Sequence, residues 1–218
     1  MSFLFHNRVH AGRLLAGRLE NCAGLDGLMV LGLPRGGVPV AFEVAAELNA
    51  PLDVFLSRKL GLPGHEELAL GAVASGGVCF LNESLIQSCH VPRPVLDEII
   101  QRERRELEKN EMAFRRGDLP SLRDRPIILV DDGLATGASM RAAVLAARQN
   151  QPSRIVVAVP VAASDTLEQL RREVDDAVSV LAPEQFSSVG EWYEDFEQTT
   201  NEEVRDLLAK AARRFPSQ

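Results

Sequence analysis

The sequence IILVDDGLATGAS, residues 127–139, predicts a buried strand that leads through a short loop into a helix. The first four residues are apolar and mostly β-branched, as in a strand covered on both faces of a sheet. Asp131 and Asp132 end the strand, and the helix begins near Ser139. Ligands of open α/β sheets bind beyond the carboxyl ends of the strands, and amide N–H groups at a helix start bind anions. The stretch therefore offers acceptors for sugar hydroxyls beside donors for a phosphate, which suits a phosphorylated sugar.

Strands and helices alternate along the rest of the chain, which predicts an α/β fold with a doubly wound, mostly parallel sheet. The predicted strands cover residues 28–33, 53–57, 70–74, 78–81, 127–130, 155–159 and 178–181, with 78–81 in an antiparallel edge hairpin. The predicted helices cover 10–21, 38–48, 95–116, 139–148, 165–173 and a last helix through Arg213, which a Thr200–Glu203 capping box opens. Glycine and proline breaks predict a loop at 58–68. We expect a core domain at 1–182, with a small hood segment and terminal helix at 183–218.

Composition narrows the class of protein. The chain has 218 residues, of which 45% are hydrophobic and 25% charged, and its formal net charge is −7. No basic stripe dominates, so a role as a nucleic-acid binder is disfavoured. The N-terminal residues contain no long apolar run, and no stretch reaches the length of a membrane span. The three cysteines lack metal-ligand or redox spacing, so we expect reduced thiols and a cytoplasmic protein.

Residues 130–139 resemble the phosphoribosyl-pyrophosphate motif of the type I phosphoribosyltransferases, and the chain looks close to the group often labelled "predicted phosphoribosyltransferase". The resemblance implies that Asp131 and Asp132 hold the ribose hydroxyls. It implies that the loop wraps the 5-phosphate through Gly133, Leu134, Ala135, Thr136, Gly137 and Ser139. An ordinary strand that ends in two solvated aspartates is the alternative interpretation, and it leaves this loop unexplained.

The segment Leu33–Val38 ends the first strand and opens a helix, so its free amides and the Arg35 side chain suit a phosphate. Its spacing is not that of a dinucleotide-binding fingerprint. In the family, the loop after the first core strand binds pyrophosphate and often has a basic residue before glycine, sometimes with a cis peptide between them. The resemblance thus implies that Arg35, Gly36 and Gly37 bind pyrophosphate. A plain turn that needs glycine for backbone reasons is the alternative.

Two adjacent cations, Arg58 and Lys59, follow the second strand, and Glu66 and Glu67 come soon after them. Cations here would stabilise a departing pyrophosphate. The family has a mobile lid after its second strand, so the resemblance implies a lid that excludes water from the site. The alternative is a solvated surface loop.

Aromatic residues are only 5% of the chain, yet the sole Trp192 and sole Tyr193 lie close to Phe186 and Phe196. Planar rings supply stacking surface for a planar ligand. The family's hood carries base-binding residues, so we expect at least one of these rings near the open side of the Asp131 site. The alternative is a small hydrophobic cluster that anchors the last helix.

The resemblance implies displacement of pyrophosphate from C1 of phosphoribosyl pyrophosphate by a ring nitrogen of a nucleobase-like acceptor. Mg2+ would be the cofactor, held mainly by substrate oxygens, since the sequence shows no protein cage for a metal. Many 6-oxopurine members have a general-base Asp where this chain has Ala135. Glu66 or Glu67 would then act as the base, or none is needed.

Two other functions stay open at this stage. Some members of the superfamily sense phosphoribosyl pyrophosphate and regulate without turnover, and another phosphotransfer enzyme could share this strand, loop and helix. A homodimer is compatible with the sequence, no membrane partner is expected, and the identity of the acceptor is open.

Overall fold

The computed structural model describes residues 4–114 and 119–214, and of Glu66 and Glu67 it describes only the backbone. In chain order the strands are β1 (Met29–Gly32), β2 (Leu52–Val54), β3 (Ser57–Leu62), β4 (His65–Ala74), β5 (Val78–Leu81), β6 (Pro126–Val130), β7 (Arg154–Val161) and β8 (Asp176–Leu181). The α-helices are α1 (Arg8–Ala16), α2 (Gly37–Glu47), α3 (Glu83–Ser88), α4 (Arg93–Phe114), α5 (Ala138–Gln149), α6 (Ser164–Arg171) and α7 (Asn201–Arg214). Short 3-10 turns lie at Glu20–Cys22 and Val189–Trp192.

The central sheet is parallel, with the strand order β2-β1-β6-β7-β8. Its middle strand is β6, which pairs with β1 on one side and β7 on the other. Val130, the last residue of β6, is level with Gly32 of β1 and Ala158 of β7. The predicted doubly wound α/β fold is confirmed.

Successive side chains of β6 point to opposite faces of the sheet and contribute to two separate core layers. Ile127 and Leu129 pack with residues of α5 and α6 on one face. Ile128 and Val130 pack with α1 and α2 on the other face. All four side chains are fully buried, as expected for a central strand covered on both faces. The sheet thereby holds the end of β6 rigidly.

A second, antiparallel sheet has the order β3-β4-β5. The predicted loop at 58–68 is wrong, because β3 and β4 form a hairpin whose turn is at Pro63 and Gly64. Leu60 and Leu70 are fully buried within it and pack in a core cluster with α4. This burial stabilises strands where glycine, proline and charged residues suggested a loop.

The helices follow the prediction except for α3, which was missed. Asn82 caps α3, since its side chain accepts a hydrogen bond from the Leu85 amide at 3.1 Å. The capping box at α7 is confirmed, with the Glu203 amide donating to Thr200 Oγ1 at 3.1 Å and the Thr200 amide donating to Glu203 Oε2 at 2.7 Å. Residues 115 and 116, assigned to the long helix from sequence, lie outside the described residues. Over the described ranges, no helix is long and apolar enough to cross a membrane.

Candidate ligand-binding site

The candidate site lies where the loops after β1 and β6 face each other. After β1 the chain continues to β2 on one side, and after β6 it continues to β7 on the other. Such a topological switch point opens a crevice at the carboxyl edge of a parallel sheet. The Leu33 amide donates to the Val130 carbonyl at 2.8 Å, which ties the two loops together at their base.

Glycine lets the first loop approach the acidic pair closely. A Cβ on Gly36 would lie 2.0 Å from Asp132 Oδ2, and a Cβ on Gly37 would lie 2.8 Å from Asp131 Cα. Any larger residue would collide with the motif. The cis peptide bond lies between Pro34 and Arg35, one bond before the position that the resemblance suggests. The Gly37 amide donates to Leu33 O at 3.0 Å, so it does not face a ligand.

Arg8, on the first turn of α1, forms an ion pair with Asp132 that is mostly shielded from solvent. Arg8 Nε and Nη2 lie 2.9 and 2.8 Å from Asp132 Oδ2, and the two side chains are only 12% and 16% exposed. Arg8 Nη1 also donates to the Glu197 carbonyl at 2.6 Å, and the guanidinium stacks 4.0 Å from the Phe196 ring centre. The sequence interpretation missed Arg8, which joins the N-terminal helix, the motif and the segment before α7.

The two acids differ in their electrostatic surroundings. Burial raises the pKa of Asp131 well above its usual range, and the Asp132 carboxylate raises it further. Burial also raises the pKa of Asp132, while the Arg8 guanidinium opposes that shift. Asp131 has no ion-pair partner among the described residues, although its Oδ1 accepts the Asp132 amide at 2.9 Å. Asp131 is therefore the acid that gains most from a ligand's hydroxyl groups.

The loop after the acidic pair combines fixed and exposed parts. Leu134 is buried, its amide donates to Val161 O at 2.9 Å and its carbonyl accepts the Ala163 amide, so Leu134 anchors the loop. Thr166 Oγ1 donates to Ala135 O at 2.7 Å. Gly137 has a positive φ of 71°, and a Cβ there would lie 2.7 Å from Thr166. These contacts set the path of the loop.

The phosphate-cradle prediction fits the exposed residues of this loop. Ala135, Thr136 and Ser139 are exposed, and their amides donate to no protein acceptor among the described residues. Ser139 lies in the first turn of α5, where amides lack partners within the helix and the helix dipole favours an anion. Gly133 is packed against Val189, since a Cβ there would lie 2.5 Å from Val189 Cγ1. Leu134 and Gly133 thus pack against the protein, whereas Ala135, Thr136 and Ser139 stay exposed.

The aromatic segment reaches the site, but from behind the acidic pair. Tyr193 is buried, donates from its hydroxyl to Asp132 O at 2.6 Å, and packs against Phe5 and Phe196 with ring centres 5.3 and 4.9 Å away. Burial and the nearby Asp132 carboxylate raise the pKa of Tyr193, so the hydroxyl stays a donor. Trp192 stacks on Phe186 at 6.5 Å. Tyr193 and Trp192 belong to a hydrophobic cluster, and none of the four aromatic rings of this segment lines the cavity described below. Stacking of a base on one of these rings stays a prediction.

A cavity of about 490 Å³ opens in front of the acidic pair. This volume suits a small-molecule ligand. It brings together Asp131, Ser139, Arg35 and Arg58. Arg35 has no ion-pair partner among the described residues, so its charge is available to an anion. Two of the three predicted cations therefore share one cavity with Asp131.

The remaining predicted residues lie elsewhere. Lys59 is exposed and does not line the cavity, because successive residues of β3 point to opposite faces of the sheet. Glu66 and Glu67 belong to β4, and their side chains lie outside the described part of the structure. The cavity also includes Asn110 of α4 and Asn201 of α7. Nothing local in the sequence marks these two amides as site residues.

The side chains at the site could supply only part of the coordination shell of Mg2+. Across residues 4–114 and 119–214 no cluster of three or more His, Cys, Asp or Glu side chains could hold a metal ion. Asp132 is already paired with Arg8, which leaves Asp131 as the carboxylate facing the cavity. A single carboxylate at the cavity fits Mg2+ that keeps its waters and binds mainly to substrate oxygens.

The chain is similar to several known proteins. A family model described as "Phosphoribosyl transferase domain" matches residues 63–197. Two Mycobacterium tuberculosis proteins, from strains CDC 1551 and H37Rv, are named "Putative phosphoribosyl transferase"; each is 43% identical over 213 residues. The match covers 97% of this chain and 48% of each relative, so the chain spans about half their length. The crystal structure of TT1426 from Thermus thermophilus superposes on this chain with a TM-score of 0.85 and 43% sequence identity. The superposition covers 96% of this chain and 99% of TT1426.

Proposed function

Because the chain belongs to the phosphoribosyl transferase domain family, we propose that it transfers the phosphoribosyl group from phosphoribosyl pyrophosphate to a nucleobase-like acceptor and releases pyrophosphate. One observation carries the proposal. A half-buried acid, Asp131, shares a cavity with Ser139 and with two arginines, Arg35 and Arg58. This arrangement matches a sugar with a phosphate at one end, near Ser139, its hydroxyl groups near Asp131, and a pyrophosphate at the other end, near the two arginines.

Different protein groups bind the two ends of phosphoribosyl pyrophosphate. The amides of Ala135, Thr136 and Ser139 bind the 5-phosphate at the start of α5. Asp131 accepts hydrogen bonds from the ribose hydroxyls, with Asp132 fixed beside it by Arg8. The ribose thus lies across the end of β6, which is a rigid central strand.

Arg35 and Arg58 act on the leaving group. The bond between C1 of the ribose and the pyrophosphate oxygen breaks as a ring nitrogen of the acceptor bonds to C1. Negative charge grows on the departing oxygen, and cations fixed in the cavity stabilise that charge more in the transition state than in the ground state. Asp131 is the carboxylate that would hold Mg2+ at this cavity, and the metal would supply positive charge to offset the charge on the pyrophosphate.

The acceptor enters from the side of the cavity that Asn110 and Phe114 line. Phe114 is 9% exposed and supplies apolar wall. The proton on the attacking nitrogen passes to Glu66 or Glu67 in this proposal, or to water if the acceptor is acidic enough. Replacing both by glutamine separates these routes, because only the first requires a carboxylate.

A pyrophosphate-release assay tests the function. The native chain is incubated with phosphoribosyl pyrophosphate, Mg2+ and each member of a panel of purine, pyrimidine and related bases. Release that depends on one base, and that Arg35→Ala lowers by about 10²–10³-fold, supports the proposal. Binding of the donor without release for any base would contradict transfer and favour a sensor of phosphoribosyl pyrophosphate.

A further inference from the structure

A carboxylate interrupts the apolar stripe of α4. The buried face of this helix carries Leu96, Ile99, Ile100, Leu107 and Phe114, and Glu103 lies on the same face. Glu103 is 9% exposed, although glutamate is rarely buried without a partner. A charge at such a position requires compensation and a reason to be there.

Glu103 is compensated by two arginines, one of which lines the cavity. Its Oε2 accepts Arg58 Nε at 2.7 Å, and its Oε1 accepts Arg102 Nε at 3.0 Å. Burial opposes the charged form, but the hydrogen bonds from Arg58 and Arg102 outweigh it and hold the pKa of Glu103 below its usual value. Glu103 therefore stays ionised at neutral pH.

The contact through Nε determines what Arg58 can still do. A guanidinium is planar and carries its donors in a fixed fork. Glu103 takes the Nε–H, and among the described residues no second side chain or backbone group binds the Arg58 guanidinium. Arg58 lines the cavity with Arg35 and Asp131, whereas Glu103 does not. The carboxylate thus fixes the arginine from outside the cavity.

We propose that Glu103 is a positioning residue that holds Arg58 with its Nη groups available to the pyrophosphate of the donor. The inference rests on the proposed function and adds a residue that acts through Arg58 without touching the ligand. Its consequence is selective. Loss of Glu103 frees a flexible side chain on the pyrophosphate side and leaves the phosphate cradle at the start of α5 unchanged.

Calorimetry with two separate probes tests this selectivity. Pyrophosphate with Mg2+ reports on the Arg58 side, and ribose 5-phosphate reports on the cradle. Glu103→Gln should weaken pyrophosphate binding by about tenfold or more, the scale of one charge-assisted hydrogen bond. Ribose 5-phosphate affinity should change by less than roughly twofold. Arg102→Gln is the matched control, because it removes the more exposed partner of the same carboxylate and should leave both affinities unchanged.

A double-variant cycle distinguishes positioning from general damage to the fold. In an Arg58→Gln background, Glu103→Gln should cause no further loss of pyrophosphate affinity, and a further loss would overturn the inference. If Glu103→Gln fails to fold, Glu103→Asp keeps the charge but shortens its reach, and the same selective loss is expected. Native chain that binds neither probe contradicts the proposed function itself. If the native chain binds both probes and Glu103→Gln binds pyrophosphate with the same affinity, only the role of Glu103 is contradicted.

Discussion

Arg8→Met removes the buried cation beside the acidic pair, and we expect it to destabilise the protein strongly. Arg8 and Asp132 are 12% and 16% exposed, and Nε and Nη2 of the arginine lie 2.9 and 2.8 Å from Asp132 Oδ2. Removing one partner leaves the other charge buried without compensation, which costs about 3–5 kcal/mol. Methionine retains the apolar stem, so lost packing adds little to this cost.

Arg13→Met provides a matched control on the same helix. Arg13 pairs with Glu43 at 2.9 Å, a distance like that of the Arg8 pair, but the Arg13 side chain is 69% exposed. An exposed pair contributes about 0.2–1 kcal/mol, because water screens it. Both substitutions remove an ion pair of similar length, but Arg8 is far less exposed and also loses its contacts with Glu197 O and the Phe196 ring.

Urea unfolding of both variants measures the difference in the free energy of unfolding. Arg8→Met should lose several kcal/mol more than Arg13→Met. Adding Asp132→Asn to Arg8→Met should recover part of the loss, since the uncompensated charge is then gone. Equal losses in Arg8→Met and Arg13→Met would refute the assignment of Arg8 as the counter-ion of the motif.

The motif and its loops give three further predictions. Gly36→Ala places a Cβ 2.0 Å from Asp132 Oδ2, so overpacking should lower the free energy of unfolding by about 1–3 kcal/mol; an unchanged urea midpoint would contradict this. Because burial raises the pKa of Asp131, the folded state binds more protons than the unfolded state above pH of about 4, and stability should fall as pH rises through the raised pKa. Urea midpoints across that range should show this slope in the native chain and a shallower one in Asp131→Asn, where only the raised pKa of Asp132 remains; the same slope in both would refute the shift. Thr166→Val removes the donor to Ala135 O at 2.7 Å and should weaken ribose 5-phosphate binding by roughly fivefold, the scale of one hydrogen bond; calorimetry that shows lost stability with unchanged affinity would contradict a role in shaping the cradle.

The parts of the fold that follow local patterns were predictable. The apolar run of β6, the two acids and the small loop residues place the motif at the end of a central strand, as the structure has it. The capping box at Thr200 and Glu203 likewise depends on residues three apart. In these cases the neighbouring residues determine the structure.

The hairpin of β3 and β4 was missed because its stability depends on distant partners. Glycine, proline and charged residues dominate its local sequence, but Leu60 and Leu70 are buried against α4, far along the chain. Gly71 is needed there for close packing, since a Cβ would lie 2.0 Å from Phe80 O. A tertiary contact thus overrides the local tendency to form a loop.

The site was predictable only where local sequence patterns mark it. Asp131, Ser139 and Arg35 lie at strand ends or helix starts, where the rule for open sheets places ligands. Arg8 lies 124 residues from Asp132 in the sequence, and its surroundings in α1 give no sign of that pair. Glu103 did carry a signal, because a charge within the apolar stripe of α4 indicates a buried partner.

Calorimetric titration of phosphoribosyl pyrophosphate into the protein, with Mg2+ present, tests the central claim most directly. We expect the native chain to bind and Asp131→Asn/Asp132→Asn to lose about 100-fold or more in affinity, since both carboxyl groups that accept the ribose hydroxyls become amides. Asp175→Asn/Asp176→Asn is the matched control, because this second acidic pair lies at the start of β8, at the opposite end of the sheet. It should bind like the native chain. Equal affinity in all three proteins, or no binding by the native chain, would contradict the assignment of the Asp131 site to the donor.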